Sequence, residues 1–86
     1  MKIKPEHYAY IKSAVALNFT AEYVASRRAA IVAQGKAKDV EMRLRWDLTY
    51  LAPGLSQWLS DNVYPYANDN HIDTALRSIM RELFDM

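Results

Sequence analysis

DVEMRLRWDLTYL, residues 39–51, decides the fold, because it reads in two ways. Taken two residues at a time it alternates. Val40, Met42, Leu44, Trp46, Leu48 and Tyr50 are apolar, while Asp39, Glu41, Arg43, Arg45, Asp47 and Thr49 are polar, which is the pattern of a half-buried strand. Wound at about 100° per residue, the same positions fall into two apolar lines. Val40, Leu44, Leu48 and Leu51 share one side, and Met42, Trp46 and Tyr50 lie roughly opposite. The charges between the lines then stand at helical neighbour spacing, Glu41 with Arg45 and Arg43 with Asp47. Composition chooses the helix: Glu, Met, Arg and Leu dominate, and only Val40 and Thr49 are β-branched. A strand would also need a partner, and the chain offers only the brief Met1–Lys4 segment or a second copy of itself. The predicted central helix can be packed from two sides.

Outward from this stretch the punctuation is helical. Asp39 is the expected N-cap of the central helix, and Pro53-Gly54 the expected stop. Upstream, Pro5 suits the first turn of a helix running to about Leu17, with Tyr8, Ile11 and Val15 as its apolar line. Thr20 is placed to cap a second helix ending near Gln34, with Phe19 before the cap available to staple onto Val24. Gly35 supplies the left-handed residue that closes it, and Lys36-Ala37-Lys38 forms a short connection. Downstream, Leu55, Trp58, Leu59 and Val63 are spaced for a short helix starting near Leu55 or Ser56. Pro65 and the Asn68-Asp69-Asn70 cluster mark a turn. The last helix starts at an Asn70 cap with Asp73 reaching back. Ile72, Ala75, Leu76, Ile79, Met80 and Leu83 form its stripe, flanked by Arg77 and Arg81. The expected architecture is all-α: one domain over residues 1–86, with four main helices plus one short helix. Its core is expected from Tyr8, Ile11, Val15, Val24, Ile31, Leu44, Leu48, Leu51, Leu59, Ile72, Leu76 and Ile79.

Composition limits the function. With 86 residues and no cysteine, the domain has no disulfide or thiolate-zinc staple, and its packing must come from helix interfaces, a second subunit included. A formal charge of +1 indicates neither a polybasic nucleic-acid binder nor an acidic DNA mimic. The N-terminal MKIKPEHYAYIK lacks the apolar run of a signal peptide, and no run is long enough to span a bilayer, so a soluble intracellular protein is expected. Two glycines make no phosphate-cradling loop, and no serine sits in a glycine elbow. Asp69, His71 and Asp73 resemble a ligand set, but at a helix start they are read as capping residues. No catalytic residue, metal or cofactor is expected.

Two binding classes remain. Trp58, Tyr64 and Tyr66 gather around Pro65, while Trp46 and Tyr50 form part of the second line of the central helix; these five are the candidate partner-binding residues. The first three serve equally well to close the end of the core. An uncovered second line also makes a homodimer an expectation. The alternative is a small nucleic-acid-binding regulator using Arg27, Arg28, Lys36 and Lys38, the cations nearest a helix-turn-helix arrangement. Against it, the supposed recognition helix is apolar on two sides, and long basic side chains ordinarily cover core margins.

The words Arg43-Leu44-Arg45-Trp46-Asp47-Leu48 and Tyr64-Pro65-Tyr66, with Asn68-Asp69-Asn70-His71-Ile72-Asp73-Thr74-Ala75-Leu76-Arg77 and then Ile79, resemble a group of small uncharacterised proteins encoded by tailed phages and prophages. The resemblance covers roughly the C-terminal half. It implies a product of the bacterial cytoplasm and carries over no site residues. By analogy of class, small phage accessory proteins without catalytic residues act by binding a host protein, such as a defence or regulatory component.

Overall fold

Pro5, Thr20, Gly35 and Pro53 divide the chain where their backbone chemistry requires. A computed structural model of the protein describes residues 3–85, and among these it contains helices and no strand. Met1 and Lys2, half of the segment considered as a strand partner, lie outside the described residues. The helices are α1 (Pro5–Asn18), α2 (Ala21–Ala33), α3 (Val40–Leu51), α4 (Pro53–Asn62) and α5 (Asp69–Phe84), with a 3-10 turn at Ala37–Asp39. The protein is a small all-α domain, as the sequence predicts.

The stretch over residues 39–51 is a helix, and it is the hub: α3 contacts α1, α2, α4 and α5. Val40, Leu44 and Leu48 are buried. They join Ile11, Val15, Phe19, Val24, Ile31, Leu55, Ile79 and Met80 in one core cluster. A second cluster of Ile3, Val63, Ala67, Ile72 and Ala75 lies under the α4–α5 connection. Tyr8, Trp58, Leu59 and Leu76, each half-buried, pack against both. Leu51 departs from the expected core at 43% exposure. It occupies the last turn of α3, where Ala52 redirects the chain into α4, so the buried line runs past the helices that cover it.

Several local expectations hold in detail. The Thr20 hydroxyl accepts from the Tyr23 amide at 3.0 Å. Gly35 adopts φ 74°, its amide donating to Val32 O and the next amide to Ile31 O, which closes α2 with a Schellman motif. Phe19 and Val24 are both buried in the main cluster.

Others shift. Asp39 makes no side-chain cap; the 3-10 turn leads into α3 instead, with the Asp39 amide donating to Lys36 O. Pro53 does not merely stop α3 but opens α4 as its first residue, two positions ahead of the expected start, because a first-turn proline lacks only a donor that would be orphaned anyway. The cap of α5 is Asn68 rather than Asn70. Its side chain accepts from the His71 amide at 3.2 Å, and His71 Nδ1 accepts from the Asn68 amide at 3.1 Å. This is a capping box with histidine in the usual Glu/Gln position. Asn68→Ala is therefore expected to lower stability by about 1 kcal/mol. His71→Gln should keep the box and His71→Ala should lose about half as much, as denaturant midpoints would report.

Candidate functional site

The two apolar lines of α3 meet different fates. Leu44 is 2% exposed and Trp46, two residues on, is 55% exposed; Tyr50 is 88% exposed and Met42 also faces solvent. Among the described residues the second line is left largely open to solvent. The flanking charges explain why the exposed stripe is narrow, since both flanks are tied to neighbouring helices rather than to each other. Glu41 takes Arg77 Nε at 2.8 Å. Asp47 takes Arg27 through Nε at 2.7 Å and Nη2 at 3.3 Å. Arg45 reaches Asp73 and donates to Asp69 Oδ1 and the Tyr64 hydroxyl oxygen, each at 3.0 Å. The expected Glu41–Arg45 and Arg43–Asp47 pairs are therefore absent. An exposed pair at helical spacing contributes only about 0.2–0.5 kcal/mol, so a better-placed partner on another helix displaces it.

The five candidate aromatic residues separate into three places. Trp46 and Tyr50 lie together on α3. Trp58 packs on α1 instead, its ring stacked on Tyr10 with centroids 3.9 Å apart and edge-on to His7 at 5.5 Å. Tyr64 is held by the Arg45 network, and Tyr66 carries Lys4 Nζ 4.8 Å from its ring centre. Of the four candidate cations, Arg27 is taken by Asp47, while Arg28 is exposed in the middle of α2 and Lys36 and Lys38 are exposed in the turn after it. Asp69, His71 and Asp73 are occupied as well, His71 in the cap and both aspartates on Arg45.

Met42, already placed on the second apolar line by its spacing, and Arg43, not selected from the sequence, complete the α3 surface. The available signal was spacing: Arg43, Trp46 and Tyr50 stand at i, i+3 and i+7, with Met42 four residues before Trp46. Two hollows flank the α3–α5 seam, of about 200 Å3 beside Met42 and about 260 Å3 beside Tyr64. Arg45, Leu48 and Leu76 line both.

The charge network sets the pH range of the fold. The Tyr64 hydroxyl, donating to Asp69 at 2.5 Å, and then Arg45 hold the Asp69 carboxyl below its usual range. Lys12 at 2.8 Å and the Tyr8 hydroxyl at 2.9 Å do the same for Glu82. The folded carboxylates bind protons less readily than the unfolded ones. Their contribution is therefore present above about pH 4 and lost as pH falls through the lowered values. Burial, then the same carboxylates, raises the Tyr8 and Tyr64 phenols. Their contribution is present below about pH 10 and lost as pH rises through the raised values. Stability should thus fall at both extremes. Asp69→Asn with Glu82→Gln should flatten the acid limb, measured as urea midpoints at pH 3 against pH 7.

Fold and surface together define a small all-α domain whose α3 exposes an aromatic face and in which Glu41, Asp47, Asp69, Asp73 and Glu82, half of the ten carboxylate side chains, are held in cross-helix ion pairs. Compared with protein-family models, curated proteins and solved structures, the chain matches none. No described helix is long and apolar enough to cross a membrane.

Proposed function

We propose that this chain is a non-catalytic accessory protein of a tailed phage or prophage, acting in the bacterial cytoplasm by binding a host protein, a defence or regulatory component, through the Met42/Trp46/Tyr50 face of α3. The observation that supports this reading is the exposure of a tryptophan and a tyrosine on one helix face, in a domain small enough to need its apolar surface inside. Such rings bring large contact area at low conformational cost and dominate interface energetics. The phage context comes from the resemblance of the residue 43–48 and 68–77 words. The nucleic-acid reading is weaker, because Arg27, one of its four cations, already holds Asp47, and Arg45 holds Asp69 and Asp73.

A tagged pull-down from bacterial lysate tests the proposal. Trp46→Ala should reduce recovery of a stoichiometric protein at least tenfold, the loss of one central aromatic anchor. Trp58→Phe, away from the face, should leave recovery unchanged. Recovery of DNA without a protein partner would reverse the ranking.

A further inference from the structure

α3 carries one cation that the fold leaves unanswered. Glu41, Asp47 and Arg45 all have partners on other helices. Among the described residues Arg43 forms neither a hydrogen bond nor an ion pair, and its Nε is buried without an acceptor. Buried donors are almost always satisfied, so an orphan at the margin of an exposed aromatic face calls for an explanation. Arg43 as a whole is only half-buried. Arg27 shows, on the neighbouring helix, how such a group is satisfied: one carboxylate takes its Nε and Nη2 side-on. The same side-on contact with a partner's carboxylate requires Arg43 to turn this edge outward about its side-chain torsions.

We infer that the partner engaged by α3 has an apolar groove with a carboxylate on its rim, Met42, Trp46 and Tyr50 filling the groove and the carboxylate taking Arg43 side-on. The inference rests on the protein-binding reading above. Three features of the face point to a groove. Arg43, Trp46 and Tyr50 repeat at the anchor spacing of a helix laid in one. The aromatic part of the face is small: a fully buried aromatic side chain contributes about 150–250 Å2, so two of them fall well short of the roughly 800 Å2 per partner typical of a stable interface. Walls that wrap the helix supply the remainder, and a flat contact does not. Trp, Tyr and Arg are also the residue types in which binding energy concentrates.

The same features disfavour a second copy. It would bring only Asp39, at the end of the stripe, and would bury no more than the same narrow strip against itself. Single-stranded nucleic acid would need several cations tracking its backbone, and of the two arginines on α3 Arg45 is held by Asp69 and Asp73.

The experiment uses the full chain with a benzophenone-bearing phenylalanine in place of Tyr50, irradiated in bacterial lysate, and the adduct identified by mass spectrometry. An adduct alone does not decide the matter; its response to charge does. With a partner of the inferred kind, Arg43→Glu lowers adduct yield at least tenfold and Arg43→Lys lowers it less. Changing an Asp or Glu near the adducted peptide to Lys restores the Arg43→Glu yield, and this recovery cannot occur if the variant fails to fold. An adduct that is lost with Trp46→Ala but indifferent to Arg43→Glu would overturn the carboxylate while leaving the protein-binding reading intact. An adduct to a second copy, an adduct to nucleic acid, or no adduct would overturn both.

Discussion

Leu44→Ala should destabilise this domain by about 3 kcal/mol, whereas Trp46→Ala, two residues on and removing a larger side chain, should change stability by no more than about 0.5 kcal/mol. In a domain of this size the first corresponds to a fall in melting temperature of roughly 12–24 °C. The contrast follows from helical phase. Leu44 lies in the main cluster with Val15, Phe19 and Ile79, so its truncation leaves a cavity that three helices cannot collapse around, beside a seam that already has a hollow. Trp46 stands about 200° away around the same helix, uncovered. In a strand the two would share a face and fail together. Thermal melts followed by circular dichroism compare them directly, and equal losses would refute the helical placement of residues 39–51.

Arg45→Met should cost about 2 kcal/mol despite keeping much of the side chain's apolar length. The Arg45 side chain is only 24% exposed, and its guanidinium serves three groups at once, Asp69, Asp73 and the Tyr64 hydroxyl. These acceptors hold the first turns of α5 and the α4–α5 connection onto α3. Without the cation, two neighbouring aspartates of α5 are left with no counter-charge beside the two hollows that Arg45 lines. The figure lies below that for a fully buried pair because Asp69 and Asp73 retain water. Arg45→Lys should recover only part of the loss, since one ammonium cannot meet three acceptors in a planar fork. Hydrogen exchange should accelerate over residues 63–72 in both variants. A loss below about 0.5 kcal/mol with unchanged exchange would reduce the network to solvated surface pairs.

The helices and their order were legible in the residues because their boundaries are set locally. A first-turn proline, a threonine cap and a left-handed glycine each act on the few peptide groups beside them, so Pro5, Thr20 and Gly35 need no knowledge of the remaining chain. The same holds for the phase of α3, fixed by the positions of Val40, Leu44 and Leu48. Cap choice was already less determined. Asn68, Asp69 and Asn70 are all good cap formers, and what separates them is that Asp69 and Asp73 are drawn to Arg45 from a distant helix.

Pairing and exposure belonged to the tertiary structure. Glu41 has Arg45 four residues away and chooses Arg77, because a weak local pair yields to a cross-helix partner held in place by the packed core. Trp46 and Trp58 look alike in sequence, each on an amphipathic helix. α1 lies over Trp58, which stacks on Tyr10, whereas Trp46 is left 55% exposed, so two similar positions differ in burial. The sequence by itself determined that α3 has two apolar lines. Only the packing of four helices around it decided that one line is core and the other surface, because burial depends on neighbours far along the chain and not on the helix that carries the residues.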